Sequence, residues 1–361
     1  MAENWLTAIG LMSGTSMDGV DAALLRSDGR SIERFGSPLS LPYPSADRDL
    51  IRAALGGGGD VLAAECMLTL RHIDIVEQLL HKNSLTRSNI DIIGFHGQTI
   101  VHRPQEGLTW QIGDAALLAA RTGIDVVADF RRHDMALGGE GAPFAPLYHA
   151  ALVAALGRGD PVCVLNLGGV ANVTWIGGGT IVAFDTGPGG ALLDDWVRRT
   201  SGMAFDRDGE LAAAGTSDDR RVEAVLRHPY FSRAAPKSLD RDAFRIDLDA
   251  LSPEDGAATL VTFTARAIAR ACDLMPARPA DWIACGGNRL NPTLVRAVAQ
   301  EVAADVMTAE DVGWNGDAIE AEAFAYLAIR SLKGLALSLP TTTGVERPAT
   351  GGALYRAATV R

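Results

Sequence analysis

Cysteine is scarce: the 361-residue chain holds four, at positions 66, 163, 272 and 285, with no CxxC pair and no histidine at ligand spacing. That excludes zinc-finger and dithiol redox chemistry. Cys163 and Cys285 lie in apolar runs, and all four are expected to be reduced, buried and used for packing. Basic charge is also short, with 33 Lys and Arg against 44 Asp and Glu and a net charge of -11 at pH 7. A nucleic-acid partner is therefore not expected, since binding to a phosphate backbone runs on clustered cations. An anionic substrate would have to be met by cations gathered locally against the overall field. No apolar run reaches the ~18 residues of a membrane span, and the start, Met1 to Trp5, lacks the basic and apolar regions of a secretory signal. No membrane partner is expected, and the cytoplasm is the expected compartment. Two phosphate-binding fingerprints are missing as well: neither G-x-x-x-x-G-K-[ST] nor a strand followed by G-x-G-x-x-G occurs, which sets aside the P-loop and dinucleotide folds.

What is present is an apolar content of 47% with 21% charged residues, in a chain long enough for two domains of middling size. Apolar runs at Thr7–Met12 and Val20–Arg26 flank a polar, glycine-bearing tip and predict a hairpin. Helical spacing predicts a helix over Val61–Leu80, followed by a strand from Asn89 that ends at His96. A helix near Asp114–Arg121 and a strand over Ile124–Ala128 follow. After the glycine-rich stretch 138–143 the pattern restarts, with a helix near Leu147–Leu156 and strands at Val162–Leu167, Val170–Ile176 and Ile181–Phe184. Then come a helix at Ala257–Leu274, a strand at Trp282–Cys285, a helix at Pro292–Ala303 and a last helix from Asp317. Alternating strands and helices imply sheets flanked by helices, and two halves that each open with a glycine-turned hairpin imply a duplicated α/β architecture. The expected division is an N-terminal domain over 1–135 and a C-terminal domain over 136–344, with a tail of about 345–361 packing back on the first.

Several turns suit a phosphate, because glycine lets backbone N–H groups approach an anion closely. Ser13-Gly14-Thr15-Ser16 and Asp185-Thr186-Gly187-Pro188-Gly189 each follow a strand and combine glycine with hydroxyls. Gly286-Gly287-Asn288 lies between a strand and a helix, where it could face a nucleoside. Asp185, on a rigid strand end beside a glycine turn, is the candidate general base; capping of the following helix is the plainer reading. Asp18, at the hairpin tip, could position magnesium through water, or serve only as a turn residue. Arg121, Arg131 and Arg132 are concentrated in an acidic chain and suit a carboxylate, although a solvated basic turn would look the same. Gln98 and Thr99 could bond sugar hydroxyls or an acid group, with His96 orienting their loop. Glu320 and Glu322, two apart on a helix, point to different faces, so only one can reach a ligand, and Glu322 is the choice.

These blocks together resemble the anhydro-N-acetylmuramic acid kinases. The resemblance rests on Gly10 to Asp21, Gly94 to Thr99, Ala128 to Arg132, Gly138 to Pro143, Asn166 to Gly169, Phe184 to Gly189 and Cys285 to Asn288, which occur in the family's order. It implies a two-domain actin-like ATPase fold, shared with acetate and sugar kinases and Hsp70, with a central nucleotide cleft. It further implies ATP and magnesium as cofactors, a homodimer, and a role in peptidoglycan recycling. Under it, ATP is held by Ser13, Gly14, Thr15, Ser16, Met17, Asp18, Gly19, Val20 and Asp21, and by Asn166, Gly168, Gly169, Thr186, Gly187, Gly189, Gly286, Gly287 and Asn288. Arg121 and Thr99 would take the lactyl carboxylate of 1,6-anhydro-N-acetylmuramic acid, Arg131, Gln98 and Glu322 its sugar, and Asp185 would activate water. The sequence departs from the family at Gly190, where an Asn is usual, and doubles a carboxylate at Asp194-Asp195. Competing readings are a kinase for another anhydrosugar such as levoglucosan, a kinase for a free sugar hydroxyl, and an ATP-gated clamp without catalysis.

Overall fold

The computed structural model describes residues 4–14, 17–159, 161–240 and 243–357. They form two compact units, one made of the residues through Ala155 and from Ala318 onward, the other of Leu156–Asp317. Segment 136–155 and the helix after Asp317 thus belong with the first unit, not with the second as the boundaries at 135/136 and 344 would have it. The reason is packing: that helix lies on the first unit's sheet.

The first unit opens with β1 (Leu6–Ser13), β2 (Gly19–Ser27), β3 (Ile32–Arg34) and β4 (Leu39–Pro42), followed by α1 (Ser45–Ala54) and α2 (Val61–Lys82). Asp60 caps α2 by accepting the Ala63 N–H at 2.9 Å. The buried residues of α2 include Ala64, Leu68, His72, Ile75 and Leu79, one stripe at helical spacing. Leu68, Ile75 and Leu79 pack with Ile9, Leu11, Val20, Leu24 and Phe95 in this unit's core, and each contributes about 1.5–3 kcal/mol by burial. Next come β5 (Ile92–Arg103), β6 (Leu108–Ile112), α3 (Ala115–Thr122), β7 (Val126–Ala128), α4 (Phe130–Ala136) and α5 (Pro146–Leu156).

The second unit contains β8 (Val162–Leu167), β9 (Val170–Gly177), β10 (Thr180–Pro188), α6 (Ala191–Ser201), α7 (Glu210–Ala214) and α8 (Asp219–Leu226). It continues with α9 (Pro253–Ala271), β11 (Asp281–Cys285), α10 (Pro292–Val302) and β12 (Val306–Thr308). Caps mark its longer helices: Ser252 accepts the Asp255 N–H at 3.1 Å and Asn291 the Leu294 N–H at 3.0 Å, each with proline next. Its core gathers Cys163, Leu165, Val173, Phe184, Ile268 and Trp282. The chain returns to the first unit as α11 (Ile319–Leu332) and ends, among the described residues, with β13 (Ala353–Tyr355), which pairs antiparallel with β7.

The duplication is plain in the strand order. One sheet runs β13-β7-β5-β1-β2-β3 with β4 on β2 and β6 on β5, and the other runs β10-β9-β8-β11-β12. Both place an antiparallel three-stranded meander beside parallel strands, β5 and β7 in one and β11 and β12 in the other. This is the two-domain actin-like α/β architecture. Three details differ from expectation. The strand from Ile92 does not end at His96: it turns at Gly97, whose φ is 72°, and runs on to Arg103 against β6. Arg131 and Arg132 do not lie in a turn, because Phe130 starts a helix that contains both. Only Cys163 and Cys285 are buried; Cys272 is half-buried, and Cys66 lies on the outward face of α2, exposed.

Candidate active site

Within the first unit, the end of β1 meets the bend of β5. The Ser13 hydroxyl donates to Gln98 Oε1 at 2.6 Å and lies 2.9 Å from the Tyr43 hydroxyl, which donates in turn because the serine proton is already used. Gln98 Nε2 donates to the Thr99 carbonyl at 3.2 Å, and Ser13 and Gln98 are both buried. Burial pushes the Tyr43 phenol up, which keeps it a donor. The polar groups expected to meet phosphate or sugar are thus spent on fixing β1 to β5. Thr99 is half-buried, and its hydroxyl accepts from Gln111 Nε2 at 3.2 Å. At the hairpin tip, Met17 adopts φ 56° and donates its N–H to the Gly14 carbonyl at 3.1 Å. Asp18 is exposed, and its main-chain oxygen accepts the Tyr43 N–H at 2.9 Å. Gly19, Val20 and Asp21 open β2, with the Asp21 carboxylate accepting from Ser40 Oγ at 2.5 Å. Thr15 and Ser16 lie outside the described residues.

Three arginines take three different positions. Arg121, in the last turn of α3, is exposed. Arg132 is exposed and pairs with Asp129 at 2.8 Å. Arg131 turns inward, where its Nε donates to His96 Nε2 at 3.0 Å and its Nη1 to the Gly141 carbonyl at 2.6 Å. Arginine accepts nothing, so the His96 proton sits on Nδ1, which donates to the Gly97 carbonyl at 2.8 Å. Burial first, then the Arg131 charge, holds His96 well below its ordinary value, and it stays neutral. It joins the Gly97 carbonyl to the Arg131 guanidinium. Burial lowers Arg131 itself to about 10, still charged at neutral pH. On α11, Glu320 is exposed and Glu322 is buried, as a two-residue offset requires. Glu322 Oε2 accepts the Tyr148 hydroxyl at 2.7 Å, and burial raises the carboxyl above its usual range.

In the second unit the candidate base is held at three atoms. Asp185 lies inside β10, at a register break against β9. Its N–H donates to the Lys237 carbonyl at 3.0 Å, its carbonyl accepts the Tyr230 hydroxyl at 2.7 Å, and Oδ2 accepts the Leu239 N–H at 2.8 Å. The holding segment is anchored by an aromatic cluster in which Phe231 stacks on Phe244 at 5.0 Å. Lys237 is buried, donates to the Tyr230 carbonyl at 2.8 Å and sits 4.4 Å from that ring. Burial, with Arg233 nearby, lowers it to about 8, opposed by Asp185. Sequence reasoning missed Tyr230, Lys237 and Leu239, because a main-chain grip leaves little mark on residue type; the one signal was a lysine in an otherwise unassigned Pro-Lys-Ser turn.

The glycine turns lock into one another. Gly190 N–H donates to the Gly168 carbonyl at 2.8 Å, and Gly189 and Ala191 N–H donate to the Gly169 carbonyl at 2.9 and 3.3 Å. The Gly189 amide expected for phosphate is therefore already used. The Thr186 hydroxyl is also spent, donating to the Ala171 carbonyl at 3.1 Å, while Asn166, Gly168 and Gly169 form the β8–β9 turn and its approach. A Cβ on Gly189 would lie 2.2 Å from the Gly168 carbonyl oxygen, so only glycine allows this closeness. A Cβ on Gly187 would lie 3.0 Å from Ala267 Cβ, tight against α9. Asn288 Nδ2 stands 2.1 Å from where a Gly190 Cβ would be and reaches the Leu167 and Gly168 carbonyls at 3.3 and 3.4 Å. The loss of an amide at 190 does not leave a hole, since Asn288 fills it. Asp195 is exposed and accepts from Arg198 at 3.2 Å, while Asp194 is the more buried of the pair. Gly286 adopts φ 78°, Gly287 and Asn288 open a single 3-10 turn, and Arg289 behind them is buried against Glu310 at 2.7 Å and Asp317 at 2.8 Å.

A profile of the family described as anhydro-N-acetylmuramic acid kinase matches residues 6–357. The anhydro-N-acetylmuramic acid kinase of Rhodospirillum rubrum is 52% identical, with 98% of this chain and 95% of that protein covered. That of Nitrobacter winogradskyi is 50% identical, with 97% of this chain and 100% of that protein covered. Among solved structures, component A of (R)-2-hydroxyglutaryl-CoA dehydratase from Acidaminococcus fermentans superposes with a TM-score of 0.50 at 11% identity, over 91% of this chain and 99% of that one, a likeness of fold alone. With the family's blocks placed on two matching α/β units and the match running almost from end to end, this chain belongs to the anhydro-N-acetylmuramic acid kinase family.

Proposed function

We propose that the chain converts 1,6-anhydro-N-acetylmuramic acid, water and ATP to N-acetylmuramic acid 6-phosphate and ADP, in the recycling of cell-wall peptidoglycan in the cytoplasm. The observation that best supports this is Asp185 in its Asp-Thr-Gly-Pro-Gly block, on a strand, half-buried, with Oδ2 taking the Leu239 amide at 2.8 Å. O6 of the substrate is locked in the anhydro bridge and has no proton to remove, so a base is needed for water instead. Asp185 takes a proton from water as the water oxygen bonds to the anomeric carbon. The bond from that carbon to O6 breaks, O6 bonds to the γ-phosphorus, and ADP leaves. Of the three hydrogen bonds at Asp185, two hold its main chain and the Leu239 amide holds its carboxylate before substrate arrives, which limits reorganisation during reaction.

Arg121 and Thr99 take the lactyl carboxylate, and Arg131 and Glu322 the sugar. Gln98, its amide spent on Ser13 and Thr99, supports that strand without touching the ligand. The phosphates fall to the Ser13–Asp18 hairpin and the turns at Gly168-Gly169 and Thr186 to Gly189, through groups other than the Ser13 and Thr186 hydroxyls and the Gly189 amide, which are already bonded, and the nucleoside to Gly286, Gly287 and Asn288. Magnesium would sit with the phosphates and meet Asp18 through water. Among the described residues no three His, Cys, Asp or Glu come together to hold a metal. When bound, the ion neutralises phosphate charge. No helix of the described residues is long and apolar enough to cross a membrane.

The test is ADP release, with magnesium and ATP, on 1,6-anhydro-N-acetylmuramic acid, levoglucosan and N-acetylglucosamine in turn, using a preparation whose mass is read by light scattering. Turnover on the first at least about tenfold above the others, from a particle twice the 38.0 kDa chain mass, is expected. Preference for levoglucosan or the free sugar would overturn the substrate, release independent of any sugar would favour a clamp, and a 38.0 kDa particle would overturn the homodimer.

A further inference from the structure

One of the blocks, Gly138 to Pro143, has no role in the reaction just described, yet one buried carboxylate joins it to the chain segment Pro340-Thr341-Thr342-Thr343-Gly344. Asp134, in α4, is 1% exposed. Its Oδ1 accepts the Thr343 hydroxyl at 2.7 Å and the Ser338 hydroxyl, and its Oδ2 accepts the Gly141 N–H at 2.8 Å. Glu140 N–H donates to the Thr343 carbonyl at 2.7 Å and closes the same junction. The glycines are required for it: a Cβ on Gly139 would stand 2.3 Å from Asp134 Oδ2, and Gly141 adopts φ 68° with Met135 against its Cβ position.

The junction delivers the Gly141 carbonyl to Arg131 Nη1, while His96 Nε2 takes Arg131 Nε. Phe144 lies 5.6 Å from the guanidinium carbon. With Nε and Nη1 committed to acceptors on two different elements, the guanidinium plane is fixed, and no hydrogen bond to Nη2 is present among the described residues. We propose that Asp134, acting through Gly141, and His96 are positioning residues that set the Arg131 guanidinium for the anhydrosugar. This rests on the reading that Arg131 contacts the sugar. Keeping a carboxylate buried is costly unless it is fully bonded, and three donors meet it here. Simple packing of the loop would need no charge; orientation of an arginine accounts for one.

The test is steady-state kinetics on the full chain for Thr343→Val, Asp134→Asn and His96→Gln, each alone and in an Arg131→Ala background. Thr343→Val removes one donor to Asp134 while keeping the side-chain shape. Each single change is expected to raise KM for 1,6-anhydro-N-acetylmuramic acid about three- to tenfold, with KM for ATP unmoved and kcat within about twofold, as for lost ground-state binding. His96→Gln, which keeps an acceptor, should be the mildest. In the Arg131→Ala background these increases should vanish, because residues that act through one group are not additive. Equal increases in that background, or KM for ATP rising in step, would overturn the proposal. If Arg131→Ala leaves the sugar KM unchanged, the reading of Arg131 fails and takes the proposal with it. If Arg131→Ala raises KM and Thr343→Val does not, the proposal alone fails. Should Asp134→Asn not fold, Thr343→Val and His96→Gln decide the matter by the same criteria.

Discussion

Arg289, paired with Glu310 and Asp317, shows how buried charge supports a glycine turn. The guanidinium, buried directly behind Gly286-Gly287-Asn288, is bridged by Glu310 at 2.7 Å, and Glu310 also accepts the Gly316 N–H at 3.1 Å. The Arg289 hydrogen bond lowers Glu310 from 4.5 to about 2. A carboxyl with a depressed folded value stabilises the protein fully above about pH 4.5 and loses that contribution as pH falls toward 2. Glu310 is partly exposed, so Glu310→Gln is expected to cost only about 1 kcal/mol at pH 7. Urea midpoints of the two proteins should converge between pH 4.5 and pH 2.5; a gap that persists at acid pH would contradict the pairing. At this scale the sequence marked candidate residues by type but not what they touch. Asp185, Arg131 and Glu322 stood out by type and neighbourhood. That Ser13 and Gln98 bond to each other, or that the Gly189 amide serves Gly169, depends on strand pairing over distances no local pattern encodes.

Between elements, the closest contact is α11 on the first sheet. Gly10 of β1 and Gly94 of β5 are register partners, and a Cβ on either would fall 1.7 Å from the Ala321 carbonyl oxygen or 2.0 Å from that of Phe324. The helix backbone therefore rests on bare strand backbone, and Glu322 is placed by that contact. Gly94→Ala is expected to destabilise by about 3 kcal/mol, the upper range for overpacking, since backbone cannot rotate aside. Chemical denaturation measures this, and a loss under about 0.5 kcal/mol would contradict the packing. Helices and strands with caps or clean periodicity, such as α2, α10 and β8, were legible in advance. β5 was not read to its end, because Gly97 looks like a terminator and is instead a bend that the β6 partner carries through.

At the scale of the molecule, two sheets of matching order account for the paired glycine hairpins, and this duplication was visible without any close repeat because turn chemistry marked it. The division of the chain was less visible. The return of α11 and β13 to the first unit is a matter of long-range packing, and helix α5 carries no signal of which sheet it will join. We propose that a chain of this architecture couples ring opening to phosphoryl transfer with Asp185 as base. The most direct test is mass spectrometry of the product formed from 1,6-anhydro-N-acetylmuramic acid, magnesium and ATP in oxygen-18 water, with Asp185→Asn in parallel. N-acetylmuramic acid 6-phosphate carrying one oxygen-18 at the anomeric carbon is expected, and at least a thousandfold less of it from the variant, on the order of 4 kcal/mol in the barrier. Unlabelled product, or a variant that retains activity, would contradict it.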